Sequence, residues 1–444
     1  MKAATTKGRP AYQIYILLLL LLVNAISYAD RHLFSILIPS IKAEFGVTDS
    51  VLGLIGGPGF TVSFMLFSLP LARLADRWSR RGVLALAATL WSIATAASGV
   101  AANVVQLAIA RFAVGIGEAG GLPPSQAILA SLYSENRRAG VMGVLTSSTY
   151  FGLVIGLVGG AAVASQWGWR AAFLTLAVPG FPLALLLWLT GPRRTRGFTP
   201  ASTKPKAGES FWAFVQLFWA TKSLRLLAIG LGIFNIFGYA AAVWMPTFFM
   251  RSHGMTLVES GAWLGIGASI GGIMGSMGGG MLVDHLRKRG EYWQLRLPAI
   301  TLLLTFPVNV AMFLMPNGAR VTIAALHIPV VALLSVVSAI LVSVWAGPAY
   351  SAVSKLVSPV QRSQATAMLV VVINVIGSIS GPILGGLFSD ALSGYAGQDS
   401  LRASLFLVSF VAIVGGAVVW RASLAYPDDL SNRNFISCAA SSDN

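Results

Sequence analysis

Long uninterrupted apolar runs, Ile16 to Val23 and Leu183 to Leu189 among them, alternate along the chain with short clusters of charged and turn residues. A transmembrane strand would alternate apolar and polar residues, so continuous runs predict helices instead. The punctuation places spans near 12–41, 50–76, 82–102, 104–133, 139–165 and 169–190, and again near 223–250, 257–285, 294–315, 324–356, 363–391 and 401–424. Each has room for the roughly 20 apolar residues that cross a bilayer. The expected fold is therefore an all-α membrane protein of twelve transmembrane helices in two similar six-helix bundles, residues 12–190 and 223–424. Residues 1–11 and 425–444 read as tails, and the polar stretch 191–222 reads as a linker. The end of that linker, where Phe211, Trp212, Phe214, Phe218 and Trp219 precede Lys222 and Arg225, suits a helix lying in the headgroup region.

Composition agrees with the pattern. Of 444 residues, 56% are hydrophobic and only 10% charged, with a mean hydropathy of +0.75. The net charge of +16 raises the question of a nucleic-acid partner, and the positions of the basic residues answer it. Nearly all lie in the tails, the linker and alternate loops; the opposite loops hold only Lys42, Arg170, Arg251, Arg320 and Arg402. That asymmetry is the positive-inside rule with both termini in the cytoplasm, and it leaves no single basic face for nucleic acid. The first apolar run continues beyond Ala29 without a cleavage site, so it reads as a retained span in a cell (inner) membrane. A single cysteine, Cys438, and four scattered histidines supply no disulfide and no metal site. No cofactor is expected, and the absence of H-E-x-x-H, G-x-S-x-G and Walker A elements argues against an enzyme or an ATP-driven pump.

The halves repeat each other. Span two ends Ala72-Arg-Leu-Ala-Asp76-Arg77-Trp-Ser79-Arg80-Arg81, and span eight ends Gly280-Met-Leu-Val-Asp284-His285-Leu-Arg287-Lys288-Arg289. Gly152, Gly156 and Gly160 in span five parallel Gly377, Gly381 and Gly385 in span eleven, a spacing that lets helices approach closely. Repeated halves are a common construction of secondary transporters. The run Gly377-x-x-x-Gly381-Pro382 also resembles a drug-antiporter motif, but its place in span eleven makes it a packing element here.

Charges inside hydrocarbon cost a few kcal/mol each on insertion scales, so those that persist are functional candidates. Asp30 and Arg31 lie in span one, Arg111 and Glu118 in span four. From the helical rise, their depths below the outer face come to about 16, 15, 10 and 21 Å, within side-chain reach of one another. Arg111 and Glu118, seven residues apart, share a helix face with Gly115 between them. If the two spans face each other, two acids and two arginines form a neutral cluster. Asp30 and Glu118 are the candidate proton carriers; Arg31 and Arg111 would meet an anionic group, since the guanidinium fork binds two oxygens at once. A static network that holds helices together is the competing reading. His32 would extend the polar patch. The second half carries mild polar groups such as Asn235, Tyr239, Asn309, Ser338 and Asn374, so a cavity between halves would be charged on one wall and mostly apolar on the other. That chemistry suits an amphiphile; Tyr28, Asn235 and Asn374 are the further candidate substrate contacts.

The Asp76-Arg77-x-x-Arg80-Arg81 element resembles the loop motif G-x-x-x-D-R-x-G-R-R of the major facilitator superfamily, with Ala72 and Ser79 in place of its glycines. The resemblance implies that Asp76, Arg77, Arg80 and Arg81, with Asp284 in the second copy, lock an inner gate. Tyr28-Ala-Asp30-Arg31, Arg111-Phe-Ala-Val-Gly115-Ile-Gly117-Glu118 and Gly168-Trp169-Arg170-Ala-Ala-Phe173 resemble the Spinster-type branch. That branch implies proton-coupled movement of lysolipids or sphingosine phosphate by alternating access, with Asp30, Arg31, Arg111 and Glu118 at the coupling site. Organic-anion symporters carry similar elements, so proton-coupled uptake of a small organic anion is the alternative, and a multidrug/proton antiporter a third. The partners expected are the solute, protons and the bilayer, with the protein a monomer.

Overall fold

The computed structural model describes residues 10–192, 211–323, 326–358 and 361–442, and it is almost entirely helical. Two compact units divide it: Met1–Ala201 with Met255–Gly265, and Ser202–Gly254 with Ile266–Asn444. In order, the first half holds α1 (Pro10–Phe45), α2 (Asp49–Leu54), α3 (Phe60–Arg77), α4 (Arg80–Gly99), α5 (Val104–Ala119), α6 (Leu122–Leu132), α7 (Glu135–Thr146), α8 (Ser148–Val154), α9 (Gly160–Ala177) and α10 (Gly180–Thr190). The second holds α11 (Phe211–Ala220), α12 (Lys222–His253), α13 (Leu257–Leu286), α14 (Trp293–Leu314), α15 (Val330–Ser343), α16 (Ala346–Leu356), α17 (Arg362–Ile373), α18 (Ile379–Ala396), α19 (Ser400–Ser409) and α20 (Val411–Ser442). Wider π-helical turns at Ile55–Gly59, Ile155–Gly159 and Asn374–Ser378 interrupt the ladders.

Ten stretches are long and apolar enough to cross a membrane. Two of them, Asn136–Thr190 and Gln364–Asn432, run for 55 and 69 residues. Drawn out straight these would reach about 80 and 100 Å, against a hydrocarbon core of about 30 Å. Each turns at a glycine with positive φ, Gly168 at 81° and Gly397 at 54°. The apolar side chains outside the cores face outward, Leu18, Leu66, Leu69, Ile93 and Ile109 all being exposed. A solvent of acyl chains rather than water accounts for that surface.

Local chemistry sets the helix ends. Ser79 and Asn103 cap α4 and α5 by accepting the backbone N–H of Gly82 (3.2 Å) and Gln106 (2.9 Å). Ser79 stands at one of the family motif's glycine positions, and the cap explains how a side chain serves there. Gly120 and Gly121, followed by Pro123 and Pro124, separate α5 from α6, so the expected span 104–133 is two helices in series. The expected span 324–356 also changes: Arg320–Ile323 and Leu326–Pro329 form an antiparallel hairpin, β1 and β2, pairing Thr322 with His327, and the helix starts only at Val330. β-branched residues and Pro329 favour an extended chain over that stretch. Of the expected linker, residues 193–210 lie outside the described residues, as do 1–9 of the expected N-terminal tail. The aromatic segment after the linker is the helix α11, with Phe214 and Phe218 buried in the second unit's core and Trp212 exposed. α20 continues through Pro427 into the stretch expected as a tail.

The glycine repeat has the same geometry in both units. A Cβ on Gly152 or Gly156 would run into α1 at Ala25, Tyr28 and Ala29, and one on Gly377 or Gly381 into α12 at Asn235, Ile236 and Ala240. Matching these contacts puts Asn235 where the first unit has Tyr28, and Phe237 and Gly238 where it has Asp30 and Arg31. The charges thus belong to one copy of a shared scaffold.

Core packing in the first unit centres on Trp91, Leu20, Leu84 and Val114. Gly117 lets α4 and α5 approach: a Cβ there would lie 2.7 Å from the Trp91 backbone nitrogen. Gly117→Ala is therefore expected to destabilise by about 1–3 kcal/mol, visible as a lower thermal midpoint in detergent. Gly140→Ala, where a Cβ meets nothing within 4 Å, should leave the midpoint unchanged or slightly raised.

Candidate functional site

Asp30 and Arg31 are neighbours in α1, so their side chains leave the helix about 100° apart. Arg111 and Glu118 lie two turns apart on one face of α5. The structure joins them crosswise. Arg111 Nη2 donates to Asp30 Oδ2, and Arg31 Nε donates to Glu118 Oε2 at 2.6 Å. Asp30, Arg111 and Glu118 are 1%, 3% and 2% exposed, so the acids do not point outward at acyl chains. Burial makes the Asp30–Arg111 pair obligatory, because either charge left alone would be stranded in low dielectric; in the other pair only Glu118 is buried.

Three features were not anticipated from sequence. Thr95 of α4 donates its hydroxyl to Asp30 Oδ1 at 2.8 Å, filling the oxygen that Arg111 leaves. Arg31 lies against the rings of Tyr28, Phe60 and Phe64, with its guanidinium carbon 5.0, 4.7 and 5.0 Å from their centroids. Arg111 in turn lies 5.8 and 5.6 Å from the rings of Phe34 and Phe173. Aromatic faces hold a guanidinium without neutralising it, leaving the charge available. Hydroxyls and phenyl rings are common in apolar helices, so neither stood out in the sequence. Gly115 brings α3 close, since a Cβ there would strike Ser63 and the Phe60 carbonyl, and this seats the aromatic pair beside Arg31.

Satisfaction is incomplete. Glu118 Oε1 and Arg111 Nη1 are buried without a hydrogen-bond partner among the described residues. Arg31 is the open member, with 31% of its side chain accessible. His32 lies toward Gly156, on the side of α1 that meets the glycine stripe.

Thr95→Val keeps the side chain's shape and removes the donor. Loss of a hydrogen bond to a buried carboxylate is expected to cost about 1.5–3 kcal/mol, read as a lower thermal midpoint.

In the second unit Tyr239 Oη donates to Asn374 Oδ1 at 2.7 Å, while Asn374 Nδ2 bonds the Val370 carbonyl of its own helix. Asn235 turns back as well, donating to the Leu231 carbonyl at 2.8 Å. Ser338 Oγ donates to Asn309 at 2.9 Å.

Of the residues expected at a gate, Asp76 and Asp284 pair with arginines of their own loops, whereas Arg81 reaches a distant helix end. Asp76, with 64% of its side chain exposed, pairs with Arg80 at 3.1 Å. Arg81 donates to the Gly191 carbonyl at 3.1 Å and stacks on Trp188, tying α4 to the end of α10. Arg77 is exposed, and Asp284 lies 3.7 Å from Arg287 within its own turn.

The model of the Major Facilitator Superfamily matches residues 20–345. The chain belongs to that superfamily. An "MFS-type efflux pump" of Mycolicibacterium smegmatis is 32% identical over 413 residues, covering 93% of this chain and 92% of the relative. "Protein spinster homolog 1" of Xenopus laevis is 25% identical over 424 residues, 91% of this chain and 79% of that protein. Among solved structures, a bacterial homologue of the human lysosomal transporter Spinster, in an inward-facing and unoccupied conformation, superposes with a TM-score of 0.84. It is 25% identical and covers 95% of this chain and 99% of its own. This major facilitator protein is a multi-pass membrane transporter of the Spinster type, and not an enzyme.

Proposed function

We propose that the protein is a proton-coupled secondary transporter that carries an amphiphilic anion, such as a lysolipid or a sphingolipid phosphate, by alternating access. The observation that carries this reading is the crossed pair of buried acid–guanidinium contacts, in which Arg31 is partly open and Glu118 keeps an unpartnered oxygen. While Glu118 is ionised it holds Arg31. A proton on Glu118 removes that attraction and frees the guanidinium fork for two oxygens of a phosphate or carboxylate. Proton and anion would then load together. Asp30 is the second candidate proton site; Arg111 and Thr95 donate to its two oxygens and orient it. Tyr28 with Phe60 and Phe64 would flank the headgroup, and Asn235 and Asn374 would contact the solute from the second half.

The same proposal has twelve crossings, with Asn136–Thr190 and Gln364–Asn432 each counted as a pair, in bundles 12–190 and 223–424. It places both termini in the cytoplasm of an inner membrane, with Asp76, Arg77, Arg80, Arg81 and Asp284 at the inner gate of a monomer.

Reconstituted vesicles loaded with a lysolipid or with a small dicarboxylate test the substrate class. Lysolipid flux that responds to an imposed pH difference is the expected result; flux of the dicarboxylate alone would reject it. Flux that ignores the pH difference and survives both Asp30→Asn and Glu118→Gln would mean a passive pathway.

A further inference from the structure

Arg296 near the start of α14 differs from the other arginines that lie against aromatic rings. Arg31, Arg111 and Arg170 each have a carboxylate partner, and Arg81 has a backbone carbonyl. The Arg296 guanidinium carbon lies 4.1 Å from the ring of Tyr292, 5.0 Å from Trp420 of α20 and 5.9 Å from Trp293. Its Nε is buried without a partner, as is Trp293 Nε1, and no ion pair engages it among the described residues. The acid nearest in sequence, Glu291, is taken by Arg287 at 3.5 Å and Lys355 at 3.3 Å. Arg287, Lys288 and Arg289 precede α14, and Arg421 follows Trp420 on an exposed position. The neighbourhood is positive, and the start of a helix adds further positive partial charge.

Aromatic faces offset only part of the cost of a half-buried cation, and an anion outside the chain would supply the rest. Tyr292, Trp293 and Trp420 form the kind of belt that sits at headgroup depth, and Arg296 is only about 5 Å from the start of its helix. Phosphate suits the fork, accepting two parallel N–H bonds, with the Trp293 indole N–H as a further donor close by. We infer that Arg296, Trp293 and Trp420 form a binding site for a phosphate-bearing anion, reached most directly by the headgroup of an anionic phospholipid. The site lies in the second unit and is independent of the Asp30–Glu118 cluster.

The test is native mass spectrometry and thermal unfolding of the full chain in detergent, with phosphatidylglycerol, phosphatidylcholine and inorganic phosphate as separate probes. Wild type should retain phosphatidylglycerol over phosphatidylcholine, and Arg296→Gln should weaken that retention about five- to tenfold. Arg296→Lys, which keeps the charge and the fold while losing the fork, should fall between. Lys288→Gln, which removes the same charge from an exposed position, should bind as wild type does. Phosphate stabilising the wild type but not Arg296→Gln, without any preference for the lipid, would support the same site with a soluble occupant. Equal retention of phosphatidylglycerol by all variants, or Arg296→Gln lowering the midpoint equally with every probe and none, would make Arg296 a packing residue and overturn the inference.

Discussion

Arg111→Ala should destabilise the transporter by about 3–5 kcal/mol, because it leaves the Asp30 carboxylate buried with only the Thr95 hydroxyl for company. Desolvation is the dominant effect: Asp30 is 1% exposed, so water cannot take the guanidinium's place without opening the helix contacts. The expected signs are a sharply lower thermal midpoint in detergent and poor recovery from the membrane. The double substitution Asp30→Asn with Arg111→Gln removes both charges and keeps the shapes, so it should restore most of the midpoint. A single variant as stable as wild type, or a double variant no better than the single, would show that the pair is not a coupled buried unit.

How much of this was legible in the chain depends on how rare each signal is. Asp30, Arg31, Arg111 and Glu118 stood out because ionisable residues inside apolar runs are scarce, and helical rise alone brought their depths within reach. The crossing pattern follows from adjacency on α1 and a seven-residue spacing on α5. The glycine stripes likewise carried their meaning in spacing, and both prove to seat a helix against α1 or α12. Thr95, Phe60 and Phe64 carried no such signal; the approach of α3 permitted by Gly115 selects the two rings, and that of α4 permitted by Gly117 at Trp91, one turn before Thr95, brings in the hydroxyl. Asn235 and Asn374 show the converse. Both are polar residues in apolar spans, yet each donates to a carbonyl one turn back, the bond that makes an amide tolerable in lipid, and Asn374 also accepts from the side chain of Tyr239. The β1–β2 hairpin escaped notice because its short apolar run merges with the helix that follows it.

Glu118→Gln carries the largest expected effect on transport. Glutamine fills the same space and, like the protonated acid, carries no charge to hold Arg31, so the fork stays open to the anion while the side chain can no longer take up or release a proton. Accumulation driven by a pH difference is expected to fall by more than about tenfold, within the usual range of coupling free energies, while exchange of solute across vesicles at equal pH continues. Loss of both activities together with a normal thermal midpoint would instead place Glu118 in solute binding.

The most direct measurement follows protons rather than solute, using sealed vesicles that contain the transporter and a trapped pH-sensitive dye. With no initial pH difference, a gradient of the solute that passes the flux screen should acidify the receiving side in wild-type vesicles and leave it unchanged with Glu118→Gln. Solute crossing at the wild-type rate with no movement of protons would contradict the coupling role given to the buried acid–guanidinium pairs.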